Sequence, residues 1–82
     1  MSVPTNTEVL QVIREELDAI KVPGALEATE DQTWQDLDVD SLDLVEVAQV
    51  VEERWGIEFD PQDFTNVKTF GEALDLVLAR MP

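Results

Sequence analysis

Residues 37–46 of this 82-residue chain are LDVDSLDLVE, a stretch that predicts the start of a helix. Asp40 precedes a periodic apolar segment and Asp43 follows three residues later, a pattern typical of a helix N-terminus capped by an aspartate. The helix that begins here is predicted to continue to Trp55. It stops at Gly56, because glycine permits the chain to reverse.

The predicted second helix has two contrasting sides when it is drawn with about 3.6 residues per turn. One side is the expected core stripe, made of Leu44, Val47, Val51 and Trp55 and flanked by Ala48 and Val50. The opposite side carries Leu42, Glu46, Gln49 and Glu53, bordered by Asp43, Val45 and Glu52. Leu42 is therefore an apolar side chain surrounded by carboxylates, a composition typical of a docking site. A single exposed leucine is also normal on a protein surface, so Leu42 alone leaves both interpretations open.

Upstream, the capping residues Thr5, Asn6 and Thr7 precede a segment with apolar residues at helical spacing. This pattern predicts a first helix from about residue 6 to about residue 20, ended by the Val-Pro-Gly of residues 22–24. A long connection follows, over residues 21–40. Leu26, Trp34 and Leu37 are predicted to pin it to the core, giving an ordered loop with one helical turn.

Downstream, Asp60 is a predicted cap, with Pro61 at the first position of a short third helix over residues 61–66. Thr69 and Glu72 have the spacing of a capping box for a fourth helix that runs to about Arg80. Residues 56–59 could form a strand, but one short strand has no partner. The fold class is therefore all-α, a four-helix bundle with three longer helices, a short third helix and a long loop between helices one and two.

Composition excludes several classes of function. Five Lys and Arg against 19 Asp and Glu give a net charge of −14, so a basic protein surface is a better partner than nucleic acid. The chain has no Cys, His or Tyr, which excludes Cys/His zinc sites and serine–histidine catalysis within it. No apolar stretch is long enough to span a membrane and no secretory signal is evident, so we expect a cytoplasmic protein.

The negative charge is concentrated around one serine. Residues 27–63 hold thirteen acids and one base, Arg54. Ser41 lies at the start of the acidic second helix, where it has two interpretations. It could be a helix cap or an exposed first-turn serine, or its hydroxyl could be modified by another enzyme, with an attached phosphate facing the positive end of the helix dipole.

The stretch from Leu37 to Glu46 resembles the prosthetic-group site of acyl carrier proteins. The resemblance covers essentially the whole chain, since a Gly-Ile-Glu-Phe stretch, a short Asp-Pro helix and a final Thr-x-Gly-Glu-Ala helix follow in that family's order. It implies a single carrier domain over residues 1–82, of the stand-alone kind that serves fatty-acid or polyketide synthases. Such a protein is a carrier and not an enzyme.

In that family the serine, here Ser41, receives 4′-phosphopantetheine from coenzyme A through a phosphopantetheinyl transferase, and the arm's thiol carries acyl groups as thioesters. The family's second helix docks on basic patches of partners such as ketosynthases, acyltransferases and reductases. The resemblance places this docking face on Leu42, Asp43, Val45, Glu46, Glu52 and Glu53. It implies no catalytic residue and no metal site, and a monomer is expected.

Family members also shelter acyl chains between helices, for which Val47, Ala48, Val50, Val51, Phe59, Phe64 and Leu74 are candidates, although plain core is the favoured interpretation for most of them. Three residues depart from the family's usual pattern. Asp38 replaces a usual glycine, Gln49 an apolar residue and Arg54 an acid. These departures leave the pathway open between fatty-acid synthesis and a specialised one such as polyketide synthesis.

Two alternatives remain. Asp36, Asp38 and Asp40 alternate as calcium-loop ligands do, but Ser41 and Val47 then occupy the positions that need glycine and glutamate. A peptidyl or aryl carrier would share the arm and the fold, although such modules usually lack so acidic a second helix.

Overall fold

The computed structural model describes residues 4–60 and 62–81. In these residues the chain forms four α-helices, and the predicted all-α fold is confirmed. The helices are α1 (Asn6–Ala19), α2 (Ser41–Trp55), α3 (Asp63–Asn66) and α4 (Phe70–Ala79). The long connection between α1 and α2 contains two 3₁₀ turns, Ala25–Glu27 and Gln35–Leu37, where the sequence predicts one helical turn.

The N-termini of the longer helices follow their sequence signals. Thr5 caps α1 in a capping box, its hydroxyl accepting the Glu8 N–H at 3.1 Å while the Glu8 carboxylate accepts the Thr5 N–H at 3.3 Å. Thr69 caps α4 by accepting the Glu72 N–H at 3.1 Å. The predicted box there is incomplete, because the Glu72 carboxylate accepts the N–H of Lys68 instead, at 2.9 Å.

The third helix starts later than predicted. Gln62 occupies its capping position and the helix begins at Asp63, so Asp60 is not the cap. Asp60 contributes its backbone instead, donating its N–H to the Asp63 carboxylate at 2.9 Å. The predicted role of Pro61 lies outside the described residues.

Trp34 holds the long loop against the core. Its indole N–H lies 3.2 Å from the carbonyl of Phe64 and 3.0 Å from that of Val67, and its ring lies 4.5 Å from the ring of Phe70. Leu37 is partly buried against the same core. The prediction for Leu26 is wrong: this side chain is 50% exposed.

Small side chains take the place predicted for Leu26. Ala25 and Ala28 are buried, so the backbone of this part of the loop packs close to the core. Arg14 of α1 donates to the carbonyl of Ala28 through both its Nε and one terminal nitrogen. The loop is therefore tied to α1 as well as to the core.

The loop is also bonded to the start of α4. The carbonyls of Glu30 and Gln32 accept the N–H groups of Gly71 at 2.9 Å and Phe70 at 3.1 Å, which α4 itself cannot satisfy. A Cβ on Gly71 would lie 3.2 Å from the Glu30 oxygen, which makes this a tight approach. These contacts position the segment that leads into α2.

The helices enclose one hydrophobic core. Its largest fully buried side chains are Val9, Ile13, Leu17, Val47, Val51, Phe64, Phe70, Leu74 and Val77. Residues 56–59 form no strand; among the described residues the β contact is an isolated antiparallel bridge between Thr33 and Thr69. None of the helices described has the length and apolar character needed to cross a membrane.

Candidate functional site at the start of α2

Asp40 supplies the cap of α2. Its carboxylate accepts the Asp43 N–H at 2.9 Å, and the Asp43 carboxylate accepts the Asp40 N–H at 3.3 Å, which completes a capping box. A cap of this kind stabilises a helix by about 1 kcal/mol. Because Asp40 performs this role, as predicted, Ser41 is not the cap; it is an exposed serine in the first turn of α2.

Ser41 is the first residue of α2 and its side chain is exposed. Within the part of the chain that the structure describes, no residue hydrogen-bonds its hydroxyl. The hydroxyl therefore faces solvent at the end of a helix of 15 residues, where another enzyme could reach it.

The predicted helical phase of α2 is confirmed. Leu44, Val47, Ala48 and Val51 are buried, and Trp55 is partly buried against the core. On the other side Leu42 is 75% exposed. Glu46, Gln49 and Glu53 are also exposed, while the border residues Asp43, Val45 and Glu52 are partly buried.

Helix α1 adds a carboxylate to this region that the sequence did not indicate. Glu16 of α1 is partly buried, and this desolvation raises its pKa, as does the nearby negative charge of Glu46 in α2. A helical pattern shows which residues share a face of one helix, but it does not show which residues of two helices meet. The acidic surface of α2 thus continues onto α1.

The alternating aspartates before Ser41 have roles in the local backbone. Asp36 accepts the Thr33 N–H at 2.9 Å, and Asp40 caps α2. Asp38 ends the second 3₁₀ turn in the left-handed region, with φ 56° and ψ 37°. Across residues 4–60 and 62–81, no three acidic side chains are grouped to hold a metal ion, so the calcium alternative gains no support.

The candidates for sheltering an acyl chain divide into two groups. Val47, Val51, Phe64 and Leu74 are fully buried and Ala48 and Phe59 are buried beside them, as the core interpretation expects. Val50 is partly exposed and lines a surface depression with residues of α1. Val50 therefore faces away from the space that the others fill.

The start of α2 fits a covalently attached phosphate ester. The first N–H groups of a helix lack partners within it and, together with the helix dipole, attract a phosphate. Asp40 and Asp43 place negative charge beside the same site and oppose this attraction. Exposure of the Ser41 hydroxyl satisfies the remaining requirement, which is access for a modifying enzyme.

The chain matches a family model and several known proteins over most of its length. The family described as "Phosphopantetheine attachment site" matches residues 7–77. An acyl carrier protein of Thermobifida fusca is 30% identical over 71 residues, 85% of this chain and 90% of the relative. One of Rubrobacter xylanophilus is 36% identical over 72 residues, 87% of this chain and 89% of the relative. One of Acidothermus cellulolyticus is 45% identical over 42 residues, about half of each chain, at 51% and 50%.

A solved structure shares the fold over nearly the whole chain. It is the NMR solution structure of 3,5-dioxohexyl ACP, a triketide mimic, from the actinorhodin polyketide synthase of Streptomyces coelicolor. The TM-score is 0.77 at 26% identity, with 98% of this chain and 93% of that chain covered. The 3-oxo-butyl form of an ACP from the same synthase aligns with the same TM-score of 0.77.

Proposed function

Because the chain belongs to the phosphopantetheine attachment family, we propose that Ser41 is the residue to which its 4′-phosphopantetheine is attached. The observation that carries this assignment is the division of roles at the start of α2. Asp40 caps the helix, which leaves the exposed hydroxyl of Ser41 without a structural task. The chain is a carrier and not an enzyme, like its relatives.

The 4′-phosphopantetheine group supplies a thiol on which acyl chains are carried as thioesters. The chain contains no cysteine and therefore has no thiol of its own. The residues around Ser41 serve to present that group. Asp40 and Asp43 stabilise the N-terminus of α2 through their capping box. The contacts between the loop and α4 fix the direction from which the chain enters the helix. We propose that residues 1–82 act as one carrier domain in this role.

The proposed docking face consists of Leu42, Asp43, Val45, Glu46, Glu52 and Glu53. Leu42, exposed beside Ser41, supplies apolar contact area, and Glu46 and Glu53 supply exposed negative charge. The partly buried Asp43, Val45 and Glu52 form its edges. Charge of this density steers a basic partner surface towards the helix and so raises the rate of encounter.

Carriers of this family serve fatty-acid or polyketide synthesis, and this chain has that role. We propose that its partners are a phosphopantetheinyl transferase and synthase enzymes with basic docking patches, such as ketosynthases, acyltransferases or reductases. The proposed location is the cytoplasm. A monomer is proposed, because a net charge of −14 makes copies of the chain repel one another.

The absence of cysteine provides a direct test of the proposed function. A thiol reagent should detect no thiol on the purified chain, and one per chain after incubation with coenzyme A and a broad-specificity transferase. The new thiol should then accept an acyl group that neutral hydroxylamine removes. A chain that gains no thiol with any competent transferase would refute the carrier function.

A further inference from the structure

A surface groove lies between α1 and the C-terminal half of α2. Two neighbouring surface depressions of ≈ 350 and ≈ 200 Å³ share Val12, Glu15 and Arg54 in their linings. We call them together the α1–α2 groove and define it by Val12, Glu15, Glu16, Val50, Arg54 and Trp55. Trp55 lies 14 residues after Ser41, or about 21 Å along the helix, so the far end of the groove is remote from the attachment site.

The floor of the α1–α2 groove is apolar and only partly covered. Val12, Val50 and Trp55 each retain partial exposure, although Trp55 belongs to the stripe of α2 that faces the core. Three partly exposed apolar side chains in one concave surface offer contact area to a partner. Aromatic side chains such as that of Trp55 are enriched at the centres of protein interfaces.

The walls of the groove carry charge of both signs, with acids in excess. Glu8, Glu15 and Glu16 border it on α1, and Arg54 faces them from α2. Arg54 forms no salt bridge with any described residue. The ion pair found among the described residues lies elsewhere and joins Arg80 to Asp63. Arg54 is thus available to a carboxylate from outside.

We propose that the α1–α2 groove is a second docking surface, which binds an amphipathic basic helix of a partner protein. The apolar side of that helix would pack on Val12, Val50 and Trp55, its lysines or arginines would meet Glu15 and Glu16, and an acidic residue would meet Arg54. This proposal rests on the proposed function to the extent that a carrier visits partner enzymes. It adds a contact region away from the arm.

Charge complementarity selects this occupant over a second copy of the chain. A copy would bring its own share of a −14 charge against the acids of α1, which is repulsive. A basic segment relieves that repulsion. It also offsets the repulsion between Glu16 and Glu46, which adds to the effect of partial burial in raising the pKa of Glu16.

The test is an NMR titration of the isotope-labelled full chain with an amphipathic peptide of leucine and lysine carrying one glutamate. A peptide of the same pattern with glutamate in place of lysine is the control. We expect saturable shifts at the amides of Val12, Glu15 and Trp55 with the basic peptide only. Shifts confined to the face of Leu42 and Glu46, or no saturable shift, would overturn the proposal.

Matched variants separate the groove from the net charge. Glu15→Lys should weaken peptide binding by at least about tenfold, because it places like charges opposite each other. Asp18→Lys makes the same change on an exposed position of the same helix outside the groove lining, and should leave the affinity within about twofold. Equal weakening by both variants would contradict the proposal.

Peptide binding to the α1–α2 groove does not depend on the attachment site. Ser41→Ala should bind the peptide as the wild-type chain does, whether or not the protein accepts 4′-phosphopantetheine. Failure of peptide binding in a chain that gains its thiol would refute the groove and leave the carrier function standing. Peptide binding by a chain that gains no thiol would support the groove and refute the carrier function.

Discussion

Asp38 adopts a left-handed backbone conformation three residues before Ser41, with φ 56°. This region costs an ordinary L-residue about 1–2 kcal/mol, whereas glycine enters it freely and aspartate and asparagine tolerate it best among the others. Acyl carrier proteins, which the chain resembles, usually have glycine at this position. The structure supplies the reason, because the turn before α2 requires a positive φ whichever residue occupies it.

Substitutions at Asp38 should follow this backbone requirement. We expect Asp38→Val to lower the free energy of unfolding by about 1–2 kcal/mol, since a β-branched side chain is strained at positive φ. Asp38→Gly and Asp38→Asn should stay within about 0.5 kcal/mol of the wild type. Urea unfolding measures all three; a valine variant as stable as the asparagine variant would show that the turn is not left-handed.

Helix α2 has two contrasting sides. Its buried side contributes Leu44, Val47 and Val51 to the core, and its exposed side carries Leu42 and Glu46 close to Ser41. The packing that fixes the rotation of α2 therefore also fixes the direction in which the proposed docking face points. Substitutions on the exposed side should alter partner reactions without altering the fold.

Glu46→Lys tests this separation. The variant should slow transfer to partner enzymes with basic patches by about tenfold or more, because it removes attraction and adds repulsion at the docking face. Its helical circular dichroism should match the wild type, since Glu46 is exposed. Asp75→Lys, an equal charge change on the exposed side of α4, is the control and should leave transfer almost unchanged.

Two outcomes would count against the proposed face. If Asp75→Lys slowed transfer as much as Glu46→Lys, net charge and not the α2 surface would govern the encounter. If Glu46→Lys lost helix content, the Glu46 side chain would have a structural role, which would contradict its exposed position.

The contact between α1 and α2 should appear in the pH dependence of stability. Partial burial, and then Glu46, raise the pKa of Glu16 above its ordinary value. The stabilisation from this group is therefore fully present below the ordinary glutamate pKa and is lost as pH rises through the raised pKa. We expect Glu16→Gln to be more stable than wild type at neutral pH and to lack this step.

Glu15→Gln is the control for that measurement, because it removes the same charge from the neighbouring exposed position. Urea unfolding of both variants between mildly acidic and neutral pH separates a local effect from the general charge. Identical pH profiles for the two variants would show that the pKa of Glu16 is not raised.

At the scale of the molecule, 19 acidic side chains surround one small core. The loop between α1 and α2 stays ordered through Trp34, Arg14 and its backbone bonds to α4, while the charge opposes compactness. Repulsion among surface charges weakens as the Debye length falls from about 10 Å at 0.1 M salt to about 3 Å at 1 M. The fold should therefore gain stability from salt.

Thermal unfolding at increasing sodium chloride measures that gain. Relief of self-repulsion by about 1 kcal/mol would raise the midpoint by roughly 4–8 °C in a domain of this size. A midpoint that stays constant or falls with salt would show that the acidic surface carries no net repulsive cost.

The sequence predicts most features that depend on neighbouring residues, although the predicted cap at Asp60 is an exception. The caps at Thr5, Asp40 and Thr69 and the stop at Gly56 are local signals, and each lies where it was predicted. The burial of Leu26 depends instead on the path of the loop, which brings Ala25 and Ala28 to the core and leaves Leu26 exposed.

The candidate site also has features that the sequence predicts and features that it does not. The exposed face around Leu42 follows from the period of one helix, so the sequence predicts it. The place of Glu16 beside Glu46, and the α1–α2 groove, arise from the packing of two helices. Helical periodicity carries no information on which residues of separate helices meet.

The identity of the modified residue is tested most directly by intact mass spectrometry. The chain has two serines, Ser2 and Ser41, so Ser2→Ala is the matched control for Ser41→Ala. After incubation with coenzyme A and a broad-specificity transferase, wild type and Ser2→Ala should each gain the mass of one phosphopantetheinyl group, and Ser41→Ala should gain none. An adduct that persists in Ser41→Ala, or disappears in Ser2→Ala, would contradict the assignment.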